Sequence, residues 1–87
     1  MGKLDKVIEA MKEQIPTTSS SRFAIYMDYE FYSLCKIELM NVQGKPMSHL
    51  DFLNSAMLFG HPVYRVVSVH GREGLIAHPD FVIHRIN

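Results

Sequence analysis

The sequence predicts a single α+β domain, a small antiparallel sheet with two helices on one face, in the order α-β-β-α-β-β(-β). Three observations carry that reading. An amphipathic stretch opens the chain, and a run of period-two apolar spacing follows it. The tail from Pro62 to Asn87 then alternates valine- and isoleucine-rich segments with glycine and proline. The chain reads as one unit over 1–87, with an N-terminal helix at 1–16, a linker at 17–21 and an α+β core at 22–87. A competing arrangement closes the later strands into a small barrel and leaves the first helix as an outrigger docked on another copy.

Leu4, Val7, Ile8, Met11 and Ile15 share one helical face, with lysines and glutamates around the rest, so an amphipathic helix of about three turns is expected. Pro16 stops it, and Thr17 to Ser21 has no apolar anchor. From Arg22 the period changes to two. Phe23, Ile25, Met27 and Tyr29 fall on one face of a strand. A second strand is expected over Phe31 to Met40, with Phe31, Ser33, Cys35, Ile37 and Leu39 on one side. Asp28-Tyr29-Glu30 would be the hairpin join, although it lacks glycine or proline.

Gly44 and Pro46 mark the next segment as a loop. Ser48 and Asp51 have the spacing of a capping box, opening a second helix that runs to Leu58 or Phe59 and ends at Gly60. Leu50, Phe52, Leu53, Ala56, Met57 and Phe59 cover more than half of its circumference, so it demands cover on two sides. Val63 to His70, Leu75 to His78 and Phe81 to Ile86 read as strands. Gly71 to Gly74 forms a turn between the first two, and Pro79-Asp80 parts the last two.

Composition narrows the function classes. A chain of 87 residues buries only about 60–65% of its unfolded surface, so its core has little in reserve. Cys35 is the one cysteine, which excludes an intrachain disulfide and fits a reducing compartment. Nine basic residues balance nine acidic ones; zero net charge argues against a general nucleic-acid binder and leaves little repulsion between copies. There is no signal-peptide core and no run of about 18 apolar residues. A soluble cytoplasmic protein without membrane contact is expected, of accessory or viral type.

No motif names a reaction. His49, His61, His70, His78 and His84 lack the spacing of a zinc site, so no metal and no cofactor are predicted. The leading expectation is a non-enzymatic, self-associating protein-interaction module, such as an adaptor, an assembly subunit or a stoichiometric inhibitor. Its interface residues would be Tyr26, Tyr29, Tyr32, Phe52, Met57 and Phe59, with Leu4, Ile8 and Met11 from the first helix. Tyr64 on a neighbouring strand would extend the aromatic cluster.

The alternative is a small hydrolase or nuclease using His70, Arg72, Glu73 and His78 around the glycine turn. A third class, nucleic-acid binding, requires Lys36, Arg65, Arg72 and Arg85 on one face. Asp28 and Glu30 beside the tyrosines would repel phosphate and weigh against it.

Overall fold

The structure is a computed structural model that describes residues 2–15, 21–72 and 76–86. The predicted linker, apart from Ser21, and Glu73 lie outside the described residues. In chain order the elements are α1 (Lys3–Gln14), β1 (Phe23–Asp28), α2 (Tyr29–Met40), α3 (Met47–Ser55), β2 (Met57–Leu58), β3 (His61–Val66), β4 (Ile76–Ala77) and β5 (Phe81–Arg85). The α+β class is as the sequence implies, with the helices packed on one face of a five-stranded sheet of order β2-β3-β1-β5-β4.

The central strand β1 runs parallel to β3, with Ile25 opposite Val63, and antiparallel to β5, with Ile25 opposite Ile83. A parallel neighbour cannot be reached by a tight turn, and α2 and α3 supply the crossover. The sheet is therefore mixed rather than wholly antiparallel.

The expected second strand over Phe31 to Met40 is instead helix α2, which starts directly after β1. Ile37 is the only β-branched residue in that stretch, whereas Leu34, Lys36, Glu38, Leu39 and Met40 all favour helix. The helix buries Phe31, Tyr32, Cys35 and Leu39, a 3.6-period set that also satisfies much of an alternating pattern.

The next helix is also shorter than its apolar residues suggest. Pro46, not Ser48, occupies the N-cap position of α3, and no side chain caps it. Ala56 adopts a left-handed conformation (φ 52°, ψ 48°) and ends the helix. Met57 and Leu58 then pair with Pro62 and His61 across a two-residue turn in which Phe59 (φ 52°) and Gly60 (φ 82°) both have positive φ. Such turns match the twist of a hairpin.

One core joins all three helices to the sheet: Leu4, Val7, Ile8 and Met11 of α1 meet Phe23, Ile25 and Met27 of β1 and Ile83 of β5. Thus α1 docks on its own chain, not on a second copy. Lys3 N donates to Glu38 Oε2 at 2.9 Å, and His49 Nε2 lies 3.4 Å from Asp5 Oδ1, fixing its N-terminal end against α2 and α3.

The opposite sheet face carries Ala24, Tyr26 and Asp28 of β1, Tyr64 and Val66 of β3, and Val82 and His84 of β5, as the register requires. The segment 67–72 is tied to this side, where Asp28 Oδ1 accepts a hydrogen bond from Val69 N at 2.6 Å. Val69, Ala24 and Val82 are buried outside the helix-side core and form a second, smaller apolar set. The outer strands β2 and β4 are two residues each among the described residues, β2 pairing with His61 and Pro62 of β3 and β4 with Val82 and Ile83 of β5.

Candidate interaction surfaces

Of the residues expected at an interface, Leu4, Ile8, Met11, Phe52 and Tyr32 are buried in the chain's own core. They are not available to a partner. The reason is local: α1 covers the sheet in cis, and Phe52 fills the space against the Tyr32 ring, with centroids 5.1 Å apart. Tyr29 and Phe59 are exposed, while Tyr26 and Met57 are half-buried.

The residues of the hydrolase alternative are placed separately. His78 stacks on Phe81 with centroids 4.5 Å apart, and its Nδ1 accepts from Asp80 N at 3.2 Å. His70 is exposed, and its N–H donates to Ser68 Oγ at 3.0 Å. Arg72 lies over the Tyr26 ring, 4.9 Å from its centroid. No contact joins these three side chains among the described residues. Neither do three or more His, Cys, Asp or Glu side chains gather there in a way that would hold a metal ion.

A cleft of about 370 Å³ opens between the N-terminal end of α1, the C-terminal end of α2 and the start of α3, lined among others by Asp5, Cys35, Glu38 and His49. Ser48 Oγ meets His49 Nδ1 at 3.1 Å, and His49 Nε2 faces Asp5, which sets a hydroxyl, an imidazole and a carboxylate in line. The carboxylates are already engaged by backbone, Asp5 by Gly2 N at 3.1 Å and Glu38 by Lys3 N. Burial, reinforced by the Glu38 charge, pushes the Cys35 thiol up to about 12, so it stays protonated and unreactive at neutral pH. The polar groups of this cleft tie α1 to α2 and α3.

The basic residues divide between the two sides of the sheet. Arg65 and Arg85 pair with Met27 and Phe23 and so share the helix side, at opposite ends of β1. Arg65 Cζ lies 5.2 Å from the Tyr32 ring centroid and 5.5 Å from that of Tyr29, and Lys36 Nζ lies 5.6 Å from that of Tyr32. Arg72 is on the other side. The single basic face required by the nucleic-acid expectation does not form.

Two surfaces remain. The first is a ring cluster on the helix-free face, where Tyr26 stacks on Tyr64 (centroids 5.6 Å, planes 30° apart) and tilts against His84 at 6.2 Å. The second is the outward arc of α2, where Leu34, Ile37 and Met40 are 38%, 56% and 71% exposed. Successive three-residue steps place them within about 120° of the helix circumference. Val42, next along the chain, and Met47, at the start of α3, are exposed as well.

Sequence reading missed this arc because it placed the segment in the sheet. The composition held the signal, as Leu34, Ile37 and Met40 are spaced for one side of a helix. No protein-family model matches the chain, and neither the curated proteins nor the solved structures provide a match.

Proposed function

We propose that this protein is a non-enzymatic interaction module that associates with a second copy of itself through the outer face of α2. The carrying observation is the exposed Leu34–Ile37–Met40 arc on a well-packed helix. A helix whose inner face is already buried gains nothing within the chain from an apolar outer face; association would cover it.

One further feature supports the reading. The balanced charge leaves no net repulsion between copies. An arc on a helix of 12 residues, about 18 Å long, falls below the roughly 800 Å² per partner of a standard interface, so association is of the weak, reversible class.

Light scattering over a wide concentration range tests this. The expected outcome is a mass rising from 10.0 kDa towards twice that value, with Ile37→Glu holding the protein at the lower mass and native secondary structure. A wild-type monomer at every concentration refutes the proposal.

A further inference from the structure

We infer that the helix-free face of the sheet is a stacking platform for single-stranded nucleic acid, built on Tyr26, Tyr64, His84 and Arg72. The inference is independent of the α2 surface, which lies on the other side of the sheet.

The platform starts from register. Tyr26 on β1 sits directly opposite Tyr64 on β3, and His84 pairs with Ala24, the residue two before Tyr26 on the same face. Three adjacent strands thus set three rings side by side on a rigid base. Arg72, from the segment held by the Asp28–Val69 hydrogen bond, places its guanidinium 4.9 Å from the Tyr26 centroid. Tyr26 is hemmed in by these neighbours and half-buried. Tyr64 is 48% exposed and His84 is exposed, on either side of the Tyr26 ring that Arg72 covers.

Bases present flat π-faces and phosphates demand positive charge, and this surface supplies both. The platform does not draw on the four-residue basic face expected from the sequence, which does not form; its cation is Arg72 alone among the described residues. Among the described strand residues of this face the carboxylate is Asp28, and its Oδ1 is held at 2.6 Å by Val69 N. Glu30 belongs to α2 and is not on the sheet. Arg72 makes no ion pair with a described carboxylate, and its guanidinium lies over the Tyr26 ring. Stacking without base-edge donors in a fixed array gives tolerance of sequence, and a single arginine gives a shallow salt dependence.

The chain contains four tyrosines and no tryptophan, and two of the four, Tyr26 and Tyr64, belong to the platform, so part of the intrinsic tyrosine fluorescence reports on it. Full-length protein is titrated with short oligothymidylate and oligoadenylate at low ionic strength. Binding is expected to quench the emission. Tyr64→Ala should weaken it by about tenfold or more, and Tyr64→Phe should retain it, since one stacked base is worth that much. Arg72→Gln, at an exposed position, should make the slope of log affinity against log salt shallower by about 0.7. Ile37→Glu should leave oligonucleotide binding unchanged, which separates this platform from self-association.

If Tyr64→Ala does not fold, the Arg72→Gln salt slope decides. Absence of quenching by either oligomer overturns the inference. So does binding that Arg72→Gln and a folded Tyr64→Ala leave intact.

Discussion

Replacing Asp28 by alanine removes one side chain that holds the 67–72 segment on the sheet. Its Oδ1 accepts from Val69 N at 2.6 Å, and Val69 is only 4% exposed. Alanine leaves that amide without its acceptor in a partly buried site. An unsatisfied buried amide costs about 1–3 kcal/mol, and the charged acceptor places the expected loss near 2 kcal/mol. The carboxylate does not cap α2 by a side-chain hydrogen bond, so lost capping adds nothing to this figure.

A domain of 87 residues has roughly 4–13 kcal/mol in total, and the loss corresponds to a fall in Tm of about 10 °C. Asp28→Asn keeps an acceptor and should cost less than half as much. Urea unfolding measures both variants, and amide exchange at Val69 should accelerate in the alanine variant before global unfolding. A cost below about 0.5 kcal/mol for alanine would show that Val69 finds water or another acceptor, and that the segment does not depend on Asp28. Equal costs for alanine and asparagine would assign the effect to charge rather than to the hydrogen bond.

Two other outcomes are expected. Phe59 has positive φ and an exposed ring, so Phe59→Gly should stabilise the β2–β3 turn by about 0.5–1 kcal/mol in thermal unfolding; a loss of stability would mean the ring packs. Cys35 should resist thiol reagents in the native state and react at the rate of unfolding. Because its folded pKa lies above the unfolded value of 9.0, its contribution is full below pH 9 and is lost as pH rises towards about 12. Prompt labelling at neutral pH would contradict its burial.

How far the sequence revealed the fold depended on whether each element's pattern was local and one-sided. The α1 stripe of Leu4, Val7, Ile8 and Met11, and the β5 run from Phe81 to Arg85, have a single reading, and the structure follows it. Between Phe31 and Met40 both sides of the helix are apolar, so the helical period is blurred and alternation appears beside it. Propensity was the better guide there. At Ala56 nothing local announces the left-handed turn that ends α3, since alanine ordinarily extends a helix.

The surfaces were legible in part. Tyr26 and Tyr64 stand out as residues, but their pairing depends on the β1–β3 register, and that register depends on the misread helix. Asp28 looked like a charge that would repel phosphate. Only the fold reveals that Val69 N holds it.

The place of β1 in the sheet also bears on how the protein is made. Its two neighbours come from later in the chain, and the pair Phe23 with Arg85 joins residues far apart in sequence. On a ribosome, β1 emerges before β5 and must wait through synthesis of α2, α3 and β3 before β5 can close the sheet. During that interval Phe23, Ile25 and Met27 lack their strand partners. Such late, long-range closure slows folding and leaves apolar strand surface uncovered in the meantime.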